Sequence, residues 1–321
     1  MIPAKAVFIR ESGGPEVLEI RPFSLREPGG AEVLVEVAAS GLNRADLLQR
    51  RGFYPAPPGV EPAVPGLEYA GRVAATGPNV HSLKVGDRVM GIVAGGGMAT
   101  HVLVHEREVL PIPDTLDTIE AAAIPEAFLT AFDAVFLQGK LRAGETILIH
   151  AAGSGVGTAA VQLARRAGSH VIGTSRSRHK LDRLVLNQSI CVEDNRFAEF
   201  VQTKPNLILD TIGAAYLKEN LKAIAPLGRI VTIGLLGGIS GTLPLGLLLA
   251  KRSSIIGTVL RSRPLEEKAS LAQQFKTQVL PGFQDGTLAP VIDSIVPINA
   301  IQDAHERMDR NETFGKVILT W

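Results

Sequence analysis

Between residues 146 and 259, six apolar runs alternate with amphipathic, helix-like stretches, and this alternation leaves the chain few folds to choose from. The runs are read as strands near Thr146–His150, His170–Thr174, Ser189–Val192, Asn206–Asp210, Arg229–Gly234 and Ser254–Val259. Strands joined through helices form an open, mostly parallel sheet with right-handed crossovers. Up to about Leu116 the pattern differs. Short alternating runs such as "EVLVEVAAS", "GRVAATG" and "VGDRVMG" are punctuated by Gly, Pro and Asn, as in a small β barrel or sandwich. The segment "EAAAIPEAFLTAFDAVF" reads as helix, and a second helix is expected near Leu265–Phe283. The last run, Lys316–Thr320, has no place in the six-stranded sheet and is assigned to the first domain. The expected fold is α/β, with a doubly wound sheet over 124–268 inserted into a β-rich domain built from 1–123 and 269–321.

Composition narrows the partners. The chain has 321 residues, of which 45% are hydrophobic, enough for a core in each domain. Its 33 basic and 32 acidic side chains balance, without long runs of either sign, so no nucleic-acid or anionic-membrane partner is expected. Cys191 is the only cysteine, which excludes an intrachain disulfide and fits a reducing compartment. The N-terminal "MIPAKAVFIRESGG" reads as a strand broken by charge and glycine rather than as a signal peptide, and no apolar run approaches the roughly 20 residues of a spanning helix. A cytoplasmic protein is expected. The histidines show no metal spacing, and His101, His105 and His305 are read as surface or structural residues.

The stretch "HAAGSGVGTAAVQLAR" ends the first strand of the sheet and opens a helix, where backbone N–H groups can meet a pyrophosphate. Ala152, Gly153, Ser154, Gly155, Val156 and Gly157 are the candidate contacts. A G-x-G-x-x-G fingerprint ending at Gly157 would want glycine at 152 and 154, where Ala152 and Ser154 stand. The second strand ends in "TSRSRHK", with no acid to hold ribose hydroxyls. Ser175, Arg176, Arg178 and Lys180 suit a 2′-phosphate, so NADPH is the expected cofactor. The loops ending the fourth and fifth strands, with Gly213, Gly234 and Leu235, face the crevice of such a sheet, unless they are plain turns.

The motifs "GGPEVL", "GLNRADLLQRRG", "PGLEYAG", "AAAIPEAFLTAF", "AAGSGVG" and "GKVIL", spread over essentially the whole chain, resemble the zinc-independent quinone oxidoreductases of the medium-chain dehydrogenase/reductase superfamily, the zeta-crystallin group. "ASGLNRADLLQRRG", "GSGVGTAAVQLAR" and "LRSR" are most similar to the quinone reductases induced by the tumour-suppressor transcription factor. The resemblance implies a Rossmann domain and a GroES-like barrel domain. It also implies that Asn43 and Leu67 stand where zinc alcohol dehydrogenases carry a cysteine and a histidine, so no metal is expected. It places Asn43, Thr130, Arg261 and Lys316 near the cofactor. Asn43 is the first candidate donor to a substrate oxygen, and it is equally suited to cap the helix "RADLLQRR". Tyr54, in a loop expected to cover the cleft, is the second catalytic candidate, with loop packing as its plain alternative. Family members often carry a tyrosine after the third strand, where this chain has Glu193 and Asp194, acids that would oppose a 2′-phosphate.

The function implied is NADPH-dependent reduction of quinones, which need no Lewis acid because their developing oxyanion can be stabilised by hydrogen bonds. Reduction of an enone or enal double bond is the nearest rival, and an NADPH-binding structural or regulatory protein of low turnover is a third reading. The apolar strand Ser253–Leu260 is expected at a sheet edge, where pairing with its own copy gives a homodimer.

Overall fold

A computed structural model describes residues 1–321. Its strands, in chain order, are β1 (Ile2–Ile9), β2 (Leu18–Leu25), β3 (Glu32–Leu42), β4 (Glu68–Thr76), β5 (Arg88–Ile92), β6 (His101–His105), β7 (Leu110–Pro111) and β8 (Thr146–Ile149). They continue with β9 (His170–Ser175), β10 (Gln188–Cys191), β11 (Leu207–Asp210), β12 (Arg229–Thr232), β13 (Ser254–Gly257), β14 (Ile292–Pro297) and β15 (Lys316–Thr320). The chain divides into a split unit, Met1–Leu129 with Leu260–Trp321, and a central unit, Thr130–Val259. The sequence borders above are 123/124 and 268/269. The "LRSR" segment, Leu260–Arg263, thus belongs to the split unit.

In the central unit, β8 to β13 form one sheet in the order β10-β9-β8-β11-β12-β13, parallel throughout. This is the α/β Rossmann sheet, and each observed strand overlaps its expected run. The chain winds outward from β8 to β10, then returns to place β11 on the other side of β8. Loops after β8 and β11 therefore flank the point where winding reverses, the usual ligand crevice of an open α/β sheet. The helix Gly155–Arg166 lies against the sheet through Ala159, Ala160 and Ala164, all fully buried. Small side chains there let backbone approach backbone. Leu148, Ile172, Ile190, Ile208 and Ile230, one from each of five strands, fill a core closed by Phe197, Tyr216 and Leu221.

In the split unit, β15 pairs antiparallel with β3, with Val317 opposite Leu42 and Thr320 opposite Ala39. The last strand is thereby in the GroES-like unit, as its lack of a place in the other sheet requires. The sheet runs β14-β15-β3-β4-β5-β7, with β6 also on β3, and β1 and β2 form a separate hairpin. Valines from β3, β4, β5 and β6 make its main core with Tyr69. The helix expected across Glu120–Phe136 is interrupted. Thr118–Ala121 ends, Pro125–Phe132 begins afresh, and Asp133–Gln138 is a π-helical turn. Pro125 has no N–H to continue the first segment but suits a helix start. Pro281 likewise divides the second expected helix into Leu265–Gln278 and Pro281–Gln284. No helix is long and apolar enough to cross a membrane.

Candidate active site

Strand pairing brings three polar residues together in the split unit. Asn43 follows the last residue of β3, Glu68 opens β4, and Lys316 opens β15, both of these strands being neighbours of β3. Lys316 Nζ donates to Glu68 Oε1 (2.6 Å), Asn43 Oδ1 (2.6 Å) and the Leu42 carbonyl (3.1 Å). Asn43 Nδ2 donates to Glu68 Oε1 (2.8 Å) and the Gly41 carbonyl (3.2 Å). Glu68 Oε2 accepts from the Glu126 N–H (2.8 Å). The lysine fixes the orientation of the Asn43 amide, because an ammonium can face only its oxygen. Both amide hydrogens of Asn43 are therefore committed within the protein. Asn43 does hold the N-cap position of the helix Arg44–Arg50, and the buried Asp46 carboxylate reaches back to its N–H (2.8 Å) and to Gly66 N–H (3.0 Å). Burial pushes the Asp46 carboxyl up to about 6, against those two bonds and the nearby Lys316.

Tyr54 and Arg261 meet in the same unit, with the guanidinium carbon 4.7 Å from the centre of the tyrosine ring. The Tyr54 hydroxyl makes no hydrogen bond within the protein. Burial raises its pKa first and Glu126 and Asp46 add to the rise, while Arg261 opposes it. Glu126, on the helix Pro125–Phe132, is half-buried. Burial and then the Glu68 charge push its carboxyl up to about 8, with Lys316 and Arg261 pulling the other way. Partial solvent contact limits the size of this rise without reversing its sign. Thr130 lies four residues on, on the same helix face, and is also partly exposed.

The central unit carries the remaining candidates. The turn after β8 runs through Ala151 in the left-handed region (φ 48°) to Ser154, whose hydroxyl accepts the Gly157 N–H (3.0 Å) as an N-cap. Gly155 and Val156 keep their N–H groups free of partners in the chain, so the helix start presents two donors to an anion. A Cβ on Gly157 would lie 2.4 Å from Ala151 O and 2.7 Å from Ala152 O. The glycine missing at 152 is compensated across the sheet: a Cβ on Gly173 of β9 would stand 3.1 Å from Ala152 Cβ, so the close approach is made there instead. These features fit a pyrophosphate.

Ser175 ends β9 and accepts the Ser177 N–H (3.1 Å), while Arg176 and Arg178 are exposed and Lys180 is part-buried. Val192, the residue after β10, bonds through its N–H to Ser175 O (2.8 Å), and Glu193 and Asp194 follow it, so these acids lie beside the basic segment. The loops after β11 and β12 are zipped by Gly237 N to Ile212 O (2.7 Å) and Ala214 N to Gly238 O (3.2 Å). That places Gly213 (φ +79°), Gly234 and Leu235 together, as a Cβ on Gly213 would be 2.9 Å from Leu235.

Behind this edge lies a buried chain of polar groups that sequence reading misses. Asn220 Nδ2 donates to Asp210 Oδ2 (3.1 Å), which leaves its Oδ1 to accept from His150 Nε2 (2.7 Å). His150 Nδ1 then accepts from Thr174 Oγ1 (2.8 Å). Asp210 Oδ1 takes the N–H groups of Ile212 (2.7 Å) and Gly213 (3.0 Å). Burial lowers the His150 pKa to about 4 and raises that of Asp210 to about 6.

Zinc does not fit the split unit. Asn43 and Leu67 offer neither thiolate nor imidazole, no group of three His, Cys, Asp or Glu is placed to hold a metal, and Glu68 already faces a lysine cation. A surface cavity of about 420 Å³ lies elsewhere in this unit, between Ser12, Arg50, Phe53 and Asp309. Its charges are paired with one another, Arg50 and Arg51 with Asp309 at 3.0 and 2.6 Å, so it offers no free reactive group.

Comparison with known proteins agrees with this architecture. Residues 29–114 match the alcohol dehydrogenase GroES-like domain family, and residues 155–276 match the zinc-binding dehydrogenase family. Human quinone oxidoreductase is 32% identical over 326 residues, covering 98% of this chain and 97% of that protein. The crystal structures of a Pseudomonas syringae pv. tomato DC3000 quinone oxidoreductase superpose with a TM-score of 0.88 at 30% identity, covering 99% of this chain and 100% of that one. The CurK enoyl reductase superposes with a TM-score of 0.87 at 28% identity, covering 99% of each chain. A GroES-like unit, a six-stranded Rossmann sheet and identity of this extent together show that the chain belongs to the quinone oxidoreductase family of the medium-chain dehydrogenase/reductases, oxidoreductases that work with a nicotinamide cofactor.

Proposed function

We propose that this protein reduces quinones with NADPH and without a metal. The observation that carries the reading is the Lys316–Glu68–Asn43 cluster, whose buried cation and hydrogen bonds tie up the Asn43 side chain that, by the family resemblance, stands at a zinc-ligand position. NADPH, when bound, supplies the hydride. The Ala152–Gly157 turn would hold its pyrophosphate, and Ser175, Arg176, Arg178 and Lys180 its 2′-phosphate, with Gly213, Gly234 and Leu235 lining the cofactor and Thr130 beside the nicotinamide. Asn43 and Lys316 act as a fixed frame, since their donors are already used. The donor role expected of Asn43 passes to the unpartnered Tyr54 hydroxyl. That hydroxyl also favours a second reading, reduction of a conjugated enal, in which carbon must receive a proton.

Steady-state oxidation of NADPH and NADH with 1,4-benzoquinone, an ortho-quinone and a conjugated enal tests the reading. Turnover of the quinones is expected, with NADPH binding more tightly than NADH. Replacing Arg176, Arg178 and Lys180 together by Ala should weaken NADPH by at least about tenfold, the value of one charge-assisted hydrogen bond, and change NADH little. Equal affinity of the native protein for the two cofactors would overturn the cofactor assignment. NADPH binding without turnover of any acceptor would favour the structural role.

A homodimer is part of the same proposal. β13 is the edge of its sheet, Ile255 on it is exposed, and so is Val259 just beyond its end. Pairing β13 with its copy satisfies its open backbone groups and covers this surface. Light scattering at micromolar concentration should give twice the chain mass, and Ile255→Asp should shift it toward one. A native monomer would refute the pairing.

A further inference from the structure

The segment Phe53–Pro65 contains five prolines and no helix or strand, so something outside it must set the direction of Tyr54. One side chain does so. Arg261 is 7% exposed and donates from Nε to Ala94 O (2.6 Å), from Nη1 to Tyr54 O (3.1 Å) and from Nη2 to Gln49 Oε1 (2.7 Å). Its guanidinium also lies over the Tyr54 ring. It therefore holds Tyr54 twice, by the backbone carbonyl and by the aromatic face, and these two constraints together fix the direction of the phenol. Gln49, at the other end of the fork, is itself anchored through Nε2 to Pro62 O (3.0 Å). The clamp thus ties the helix Arg44–Arg50, the proline segment and the Ala94 loop to one planar group. An arginine serving a phosphate would keep its fork open, whereas this one turns Nε, Nη1 and Nη2 each to an acceptor inside the protein.

We propose that Arg261 is a positioning residue of the reduction, presenting the Tyr54 hydroxyl to the reduced substrate rather than contacting the cofactor phosphates. This rests on the reading of Tyr54 as a proton donor. In enal reduction bound NADPH would supply the hydride that the β-carbon takes up, leaving NADP⁺ and a negative charge on the substrate. The Tyr54 O–H bond then breaks, its proton bonds to the α-carbon, and water returns a proton to the phenolate. A quinone after hydride addition carries its charge on oxygen, which water protonates readily, so it depends less on a placed acid. Lysine cannot replace this arginine, because an ammonium has no planar fork to serve three acceptors while lying over a ring.

The test is a double-mutant cycle on kcat and KM for a conjugated enal and for 1,4-benzoquinone, with native protein, Tyr54→Phe, Arg261→Gln and the double variant. Loss of a general acid costs about a hundredfold or more, and its misplacement about ten- to a hundredfold. Tyr54→Phe should lower enal kcat by about a hundredfold and Arg261→Gln by about tenfold, each more than it lowers quinone kcat. The double variant should match Tyr54→Phe alone. Tyr54 faces Glu126, Asp46 and Arg261. Losing the one cation among them should move the phenol titration, read by ultraviolet difference against Tyr54→Phe, to higher pH. Additive losses, or a raised KM for NADPH in Arg261→Gln, would overturn the proposal and put Arg261 on the cofactor. An enal rate untouched by Tyr54→Phe, or an enal inert with native protein, would remove the donor reading instead, leaving the titration to judge the clamp. If Arg261→Gln does not fold, Arg261→Lys takes its place in the cycle, and native enal kcat in that variant would refute the clamp.

Discussion

Replacing Lys316 by Met should destabilise the protein by about 3–5 kcal/mol, the cost of removing one partner from a buried ion pair. Glu68 is fully buried and Lys316 is 4% exposed, so water cannot take over when the ammonium is removed. The carboxylate would keep the N–H of Glu126 and one amide hydrogen of Asn43 but lose its only cation, and Asn43 Oδ1 and the Leu42 carbonyl would lose their donor as well. Most of the penalty is the charge left behind. Adding Glu68→Gln should therefore recover much of it, since an amide oxygen can still accept the Glu126 N–H without carrying charge. Chemical denaturation of the four proteins in this cycle reads both effects. A single Lys316→Met variant within about 1 kcal/mol of native, where a paired buried charge was removed, would show that water reaches Glu68 and that the frame around Asn43 is wet.

The same cluster shows why the site was less legible than the fold. The runs at Thr146, His170 and Arg229 are strands because they are apolar and bounded by turn residues, and that signal is local. The breaks at Pro125 and Pro281 were local too, and could have been read from the missing proline N–H. Glu68 is different. In "PGLEYAG" it stands as one acid among small and apolar residues, and nothing within the motif shows that Lys316, 248 residues later, will reach it. Only the antiparallel pairing of β3 with β15 on one side and β4 on the other brings them together. Arg261 was legible as a basic residue in "LRSR", but its charge alone suggested a phosphate. The ring, three backbone carbonyls and Gln49 that meet it come from segments more than 160 residues away in sequence. For Asn43 the residue type suggested a donor, and it is the lysine on its oxygen and the glutamate on its nitrogen that make it a holder.

The glycine turn depends on a different buried network, and Asn220→Ala should expose that dependence. Asn220 is the only link between His150 and Asp210, both buried, and its removal leaves the imidazole Nε2–H and a carboxylate oxygen without partners. At about 1–3 kcal/mol for each stranded group, the loss should come to about 3 kcal/mol at pH 7. Asp210 also holds the N–H groups of Ile212 and Gly213, and His150 leads directly into the turn at Ala151, so both loops proposed to meet the cofactor lose their anchor. NADPH affinity should fall with stability, whereas a mutation that only destabilised the core would leave the affinity of the folded fraction unchanged. The pH dependence separates the two buried groups. His150 stays neutral in the fold down to about 4, while the unfolded chain takes its proton near 6.5, so its contribution to stability is lost as pH falls through that window, by about 1.4 kcal/mol per unit. Asp210 has its folded value raised to about 6 from 3.8, so the fold binds that proton first and gains stability as pH falls through its window. The two nearly cancel between about 6 and 4. His150→Gln removes only the first, and its stability relative to native should improve by about 2 kcal/mol between pH 7 and pH 5. A native-minus-variant difference that does not change over that interval would mean that His150 titrates in the fold as it does in the unfolded chain, and the bond assigned from Thr174 Oγ1 to Nδ1 would then run the other way in the charged form, while Nε2–H would still donate to Asn220 Oδ1.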